Sequence, residues 1–349
     1  MKVRSTDIAR WTVADVPDQR GRTVVVTGAN SGIGFETARM LAEHGATVVL
    51  ACRDVARARR AAARIRAGIP TPYRRAERAV RVEPDVRVEQ LDLASIASVR
   101  SAAERIRAAH PRLDLLINNA GVMRPPPGHT EDGFEPTFGI NHLGHFALTG
   151  LLLDRLLATA GSRIVTVSSL LHRYGRIDVE HLHSRPSDER RSRRPYPDSK
   201  LANVMFTLEL QRRLAQAGAP TIAVAAHPGI ARTELARHLP PPVRMFMGAR
   251  MAPVMSWLIQ SPQVGALAPV RAAVDPDARG GGYYGPDGLF HSSGPPVVTA
   301  FSTHACDLGR RRRLWGESER LTGVTYDLRE PPRSPPSVRS PASSTFVSP

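Results

Sequence analysis

Of the 48 cationic side chains only two are lysine, Lys2 and Lys200, and Lys200 stands four residues after Tyr196 in Tyr196-Pro197-Asp198-Ser199-Lys200. A guanidinium is a wide planar fork that is always charged, whereas an ammonium is a compact charge that fits under a phenol and still reaches neighbouring hydroxyls. Positions i and i+4 share a helix face, so the two side chains point the same way. A tyrosine acid/base needs such a neighbour, because a phenol titrates at about 10 and an adjacent positive charge favours the phenolate. The same spacing also occurs on plain solvated helix faces, so the elements that would position the pair decide its meaning.

The amino-terminal half supplies them. Thr23 to Val26 is an apolar β-branched run, followed by Thr27-Gly28-Ala29-Asn30-Ser31-Gly32-Ile33-Gly34 and then by a helical stretch, Phe35 to His44. This is strand, glycine turn, helix. Gly28 permits the tight turn, Gly32 lets backbone approach a pyrophosphate, Gly34 lets helix pack close to strand, and the helix amino terminus offers free N–H groups to the anion. The spacing Gly-x-x-x-Gly-x-Gly differs from the Gly-x-Gly-x-x-Gly of the general dinucleotide fingerprint.

Further strand-like runs close on polar residues in order: Val86 to Leu91 on Asp92-Leu93, Leu113 to Ile117 on Asn118-Asn119-Ala120-Gly121, Arg163 to Val167 on Ser168-Ser169, and Thr221 to Ala226 on His227-Pro228-Gly229. Strand runs alternating with helix-length segments predict an α/β fold, a doubly wound parallel sheet of the Rossmann type, with the cofactor across the carboxyl ends of the strands. One domain over residues 20–330 is expected, after an amino-terminal extension (1–19) and before a Pro/Ser-rich tail (331–349) with little to bury, read as disordered.

Together with Asn141 in Gly139-Ile140-Asn141-His142, these motifs resemble the short-chain dehydrogenase/reductase family from about Arg20 to Leu328. The chain is most similar to its retinol dehydrogenase-like branch, through Ala51-Cys52-Arg53-Asp54, Ser199-Lys200-Leu201-Ala202-Asn203, and Leu314-Trp315-Gly316-Glu317-Ser318. The resemblance implies Tyr196 as general acid/base, Lys200 as the charge that lowers the phenol and holds the nicotinamide ribose, Ser169 as hydrogen-bond partner of the reacting oxygen, and Asn141 as holder of a water in a proton path. It also implies Asp92 and Leu93 flanking adenine, the backbone of Asn119, Ala120 and Gly121 lining the adenosine ribose, and Pro228, Ile230 and Thr233 at the carboxamide. Association through long helices, near Leu143 to Ala158 and Leu201 to Ala215, is the family's habit; a homodimer and a monomer both stay open.

The choice of cofactor turns on Arg53. An NAD site places an acid at the end of the second strand for the ribose 2′-OH, and an NADP site places arginine near the 2′-phosphate. Here Thr47 to Ala51 leads to Cys52-Arg53, with Asp54 one step too far along. Arg53 can pair bidentately with phosphate while Asn30 and Ser31 add neutral donors, so NADP(H) is expected.

The net charge is +16, with arginine runs at Arg190-Arg191, Arg193-Arg194 and Arg310 to Arg313, but without interleaved aromatics or a groove-binding motif. A solvated basic surface is expected rather than a nucleic-acid site. Two cysteines, Cys52 and Cys306, are too few for a disulfide framework, and no stretch reaches the ~20 apolar residues that cross a bilayer. A cytoplasmic enzyme is expected. The pairs His142/His145 and His181/His183 lack carboxylate or cysteine partners at ligand spacing, so no metal is expected. The resemblance implies a substrate lid at about 231–262, where Met245, Phe246, Met247, Met251, Met255 and Trp257 suit a lipophilic aldehyde, ketone or alcohol; plain core packing and contact with a membrane surface stay open for the same side chains. The same residues would serve reduction of a carbon–carbon double bond, as in the related protochlorophyllide reductases. A dinucleotide-sensing regulator without turnover is the other class; such proteins usually lose the tyrosine or lysine, and this chain keeps both.

Overall fold

Parallel strands cannot be joined by a tight turn and need a crossover, usually a helix, and the described part of the chain alternates accordingly. The computed structural model describes residues 10–69, 84–178, 194–231 and 260–328; the arginines at 74, 75, 78, 81, 190, 191 and 193, most of the expected lid including Thr233, and the tail fall outside them. The strands are β1 (Thr23–Thr27), β2 (Thr47–Cys52), β3 (Val86–Gln90), β4 (Leu115–Asn118), β5 (Arg163–Val167), β6 (Ile222–Ala226), β7 (Tyr283–Pro286) and β8 (Pro296–Val298). They form one sheet in the order β3-β2-β1-β4-β5-β6-β7-β8, parallel except for the closing β7–β8 pair. The order reverses between β1 and β4, and in doubly wound sheets that switch point is where ligands bind.

Both faces of the sheet are covered. Val24 and Val26 of β1 point into a core shared with α1 (Gly32–Glu43), α2 (Val55–Gly68) and α6 (Pro262–Val274). Val25 points into the other, shared with α3 (Ile96–Ala109), α4 (Gly144–Leu151), α5 (Pro195–Gln216) and α7 (Leu308–Thr322). Burial on both sides explains why the strands read as continuous apolar runs rather than as alternation.

Three details differ from the sequence reading. The helix expected from Leu143 to Ala158 begins in a π-helical turn, Gly139–Leu143, and breaks at Leu152 (φ −102°, ψ 1°) before a short second piece, Leu153–Leu157. Strands β3 and β4 are shorter at one end than expected, stopping before Leu91 and starting after Leu113, both buried, although the Leu91 N–H still donates to the Cys52 carbonyl at 3.1 Å. Within the expected amino-terminal extension, Val16 joins the first core and the Gln19 N–H donates to the His44 carbonyl at 2.8 Å.

Candidate active site

The turn after β1 is set by backbone conformation. Gly28 (φ +65°) and Gly32 (φ +58°) occupy the left-handed region, where only glycine sits without strain. Space restricts Gly28 and Gly34 as well: a Cβ on Gly28 would lie 2.9 Å from the Ala120 Cβ, and one on Gly34 would lie 2.6 Å from the Gly28 carbonyl oxygen and strike the Asn119 amide. Asn119 in turn donates from Nδ2 to the Thr27 carbonyl at 2.8 Å. Ser31 stands in extended conformation at the N-cap of α1, yet its hydroxyl makes no capping bond. A helix amino terminus with unspent N–H groups, a free hydroxyl and glycines that keep side chains away is a cradle for a phosphate pair.

At the end of β2, Arg53 is exposed and has no ion-pair partner among the described residues. Asp54 is committed to capping α2, accepting from the Arg57 N–H at 2.9 Å. Cys52 is buried beneath the glycine turn, and burial pushes its thiol up to about 11, so it is a packing group and not a thiolate. After β3, Asp92 Oδ1 accepts from the Ala94 N–H at 2.9 Å, and Leu93 is buried.

Ser169, Tyr196, Lys200 and Asn141 converge beyond the carboxyl ends of β4 and β5. Ser169 caps a short helical turn, Leu170–Tyr174: its Oγ accepts from the Leu171 N–H at 3.3 Å, which leaves the hydroxyl proton for the Tyr196 phenol. Tyr196 and Lys200 stand in the first turns of α5, with Nζ 5.7 Å from the phenol ring centroid. Lys200 is buried and donates to the Val167 carbonyl at 3.1 Å. Burial lowers its ammonium to about 8. Tyr196 is half-buried, and burial raises its phenol to about 12, opposed by a hydrogen bond from Ser169. The expected lowering draws on two charges, the ammonium and an oxidised nicotinamide; at 5.7 Å the Lys200 charge alone does not outweigh desolvation.

Asn141 lies in the π turn, a feature frequent at functional sites. Its side chain is already used, accepting from the Val122 N–H at 2.8 Å and donating to the Val122 carbonyl at 3.0 Å and to Ser199 Oγ at 2.9 Å. The amide thus fixes the 119–122 segment, and Oδ1 keeps a second lone pair beside the expected proton path. A Cβ on Gly121 would lie 3.3 Å from both Asn141 Oδ1 and Lys200 Nζ, so Gly121 keeps the space between them open.

Beyond β6, the Ile230 N–H donates to the Ser292 carbonyl at 2.7 Å and its carbonyl accepts from the Gln260 N–H at 2.9 Å. Gln260 Nε2 donates to the Pro228 carbonyl. The backbone expected to receive a carboxamide is thus paired with residues 260 and 292.

Sequence reasoning weighed His145 only as a metal ligand. Its Nδ1 lies 3.0 Å from the Asn141 carbonyl and its Nε2 2.8 Å from Thr27 Oγ1, which accepts from the Asn119 and Ala120 N–H groups at 2.9 Å each. A carbonyl only accepts, so Nδ1 carries the proton and Thr27 donates to Nε2. The ring ties the π turn to the glycine turn. Burial holds His145 down at about 4 and His142 at about 3, so both stay neutral. Among the described residues no group of three His, Cys, Asp or Glu could hold a metal ion, and no helix is long and apolar enough to cross a membrane.

Residues 22–243 match the family model described as short chain dehydrogenase. Retinol dehydrogenase 13 of Mus musculus is 43% identical over 315 residues, covering 90% of this chain and 87% of that protein. Polyprenol dehydrogenase of Mus musculus is 42% identical over 318 residues, covering 88% and 86%. A crystal structure of an uncharacterized protein from Mycobacterium paratuberculosis is 40% identical and superimposes with a TM-score of 0.69, over 91% of this chain and 99% of that one.

Proposed function

Because the chain belongs to the short chain dehydrogenase family, in its retinol dehydrogenase-like branch, we propose that it is an NADP(H)-dependent reductase or dehydrogenase of lipophilic alcohols and carbonyls with Tyr196 as acid/base. Membership makes it an oxidoreductase of CH–OH groups that uses a nicotinamide dinucleotide. The observation that carries the finer reading is the convergence of a phenol, an ammonium and a serine hydroxyl beside a glycine turn built for a pyrophosphate.

The cofactor would lie with its phosphates on Gly28, Asn30, Ser31, Gly32, Ile33 and Gly34, its adenosine along Asp92, Leu93, Asn119, Ala120 and Gly121, and its ribose on Lys200. When bound, it supplies or takes up the hydride. Tyr196 donates its proton to the carbonyl oxygen during reduction, and a phenol held at about 12 carries that proton at neutral pH. The Ser169 hydroxyl, which faces the Tyr196 phenol, would donate its proton to the same oxygen. Lys200, lowered to about 8, is close enough to neutrality to return a proton to the phenolate. NADP(H) is favoured by the exposed Arg53, without an ion-pair partner among the described residues, and by the commitment of Asp54 to its helix cap. A lipophilic substrate is favoured by the relatives' names, since retinol and polyprenols are long isoprenoid alcohols. Exposed Leu171, Tyr174 and Ile230, just past the ends of β5 and β6, favour it too.

Turnover of NADPH and NADH with a panel of isoprenoid aldehydes tests this reading. Tyr196→Phe is expected to lower kcat by about 10²–10⁴-fold. Arg53→Ala is expected to raise the KM for NADPH by about 10-fold or more while leaving that for NADH alone. Undiminished turnover in the phenylalanine variant would remove Tyr196 from its role, and an unchanged NADPH preference would remove Arg53.

A further inference from the structure

His172 is fully buried, and each of its ring nitrogens has a backbone partner. Nδ1 lies 2.7 Å from the Ser169 carbonyl, and the Ser302 N–H donates to Nε2 at 3.0 Å. A backbone N–H can only donate, so Nε2 is the acceptor; the proton is therefore on Nδ1 and is donated to Ser169. The imidazole is further held by Tyr283, whose ring stands edge-on at 5.3 Å and 84° and whose hydroxyl reaches to 3.3 Å from Nδ1. The next residue continues the seam, Arg173 Nη2 donating to the Ala300 carbonyl at 3.3 Å. Tyr283, Ala300 and Ser302 all lie beyond residue 243, where the family match ends.

We propose that His172 is a positioning residue for Ser169: its neutral imidazole ties the Ser169 carbonyl to the Ser302 N–H, so that the arm after β8 sets where the Ser169 hydroxyl stands. The inference rests on the reading of Ser169 as a hydrogen-bond partner of the reacting oxygen. The hydroxyl accepts from the Leu171 N–H and faces the Tyr196 phenol, and where its oxygen stands follows the backbone that the imidazole holds.

Ser302 offers a test from the other side of the bond. Its φ of −62° is the angle proline requires, so Ser302→Pro deletes the N–H at no cost in φ, and the ring carbon that replaces the hydrogen pushes the His172 imidazole off its partner. Ser302→Ala is the control, removing only the hydroxyl that caps the His304 N–H. Ser302→Pro is expected to lower kcat by about tenfold or more, with the KM for NADPH unchanged, because small misplacements of a group at the reacting atoms act on kcat. Ser302→Ala should match wild type. His172→Phe should show the same loss, His172→Asn should recover most of it through its amide donor, and Ser302→Pro added to His172→Phe should lose nothing more. A proline variant as active as the alanine control, or an asparagine variant no better than phenylalanine, overturns the proposal. Should Ser302→Pro fail to fold by thermal melt, the His172 pair decides. Should the wild type turn over no alcohol or carbonyl, the enzymatic reading falls by itself. The clamp is then judged by imidazole ¹⁵N NMR at neutral pH, where a neutral ring protonated on Nδ1 is expected and a ring protonated on Nε2 refutes it.

Discussion

Lys200 sits where its charge is disfavoured. It is 3% exposed, and burial takes its ammonium from 10.5 to about 8. Between those values the unfolded chain binds a proton that the folded chain has released, so stability rises with pH across that window. Below about pH 8 both states are charged and the folded state bears the whole penalty, roughly 3 kcal/mol. Lys200→Met keeps the length of the side chain, and the Val167 carbonyl keeps a donor in Asn203 Nδ2 at 3.3 Å. The variant is expected to be inactive and, at pH 7, more stable than wild type by up to about 3 kcal/mol, the gap closing between pH 8 and 10.5. Urea denaturation at pH 7 and pH 10 checks this. A variant less stable than wild type at pH 7, by an amount indifferent to pH, would mean that the ammonium is not penalised.

At the scale of elements, what was legible in the sequence was whatever has a local cause. The β-branched runs Thr23 to Val26 and Arg163 to Val167 are strands, and Gly28 and Gly32 mark left-handed turns because little else can adopt them. The π turn was not legible: Gly139 to Leu143 contains nothing that forbids an α-helix, and only the Gly144 N–H bonding back to the Gly139 carbonyl reveals the extra residue. Nor were the partners of Ile230 and His172, since Gln260, Ser292 and Ser302 come from far downstream in the chain. Gly144 went unread for the same reason. A Cβ on it would lie 2.6 Å from the Leu93 carbonyl oxygen, so its bareness lets α4 press against the loop after β3. Gly144→Ala is expected to destabilise by about 1–3 kcal/mol. Gly316→Ala, in the interior of α7 with open space around it, is expected to stabilise by about 0.5–1 kcal/mol. Thermal melts of the two variants should move in opposite directions; a shared sign would show that helix propensity and not close approach governs Gly144.

At the scale of the whole molecule, α7 changes what α4 and α5 can do. The expected route to a dimer was contact through these two helices, but α7 and the segment after it lie across them. Trp315 of α7 is 2% exposed, stacks on Phe206 of α5 at 5.9 Å and meets Phe146 of α4 edge-on at 5.1 Å. Tyr326 packs on Trp315 and donates to the Phe146 carbonyl at 2.6 Å. Gly323 ends α7 in the left-handed conformation, and Arg100 of α3 donates to its carbonyl at 2.9 Å. The apolar area that a partner subunit would bury is thus buried by the chain itself. The protein is therefore expected to be a monomer through this face, with no contact of α4 or α5 across subunits. Trp315→Ala removes the ring that joins three helices, and its expected cost is about 3–5 kcal/mol, the range for deleting a large buried aromatic. It also uncovers Phe146 and Phe206, so self-association should follow the loss of stability. Light scattering of wild type and variant distinguishes the cases: a wild-type dimer whose cross-links map to α4 and α5 would contradict the covering role of α7, and a variant that stays monomeric and fully stable would show that Trp315 does not carry it.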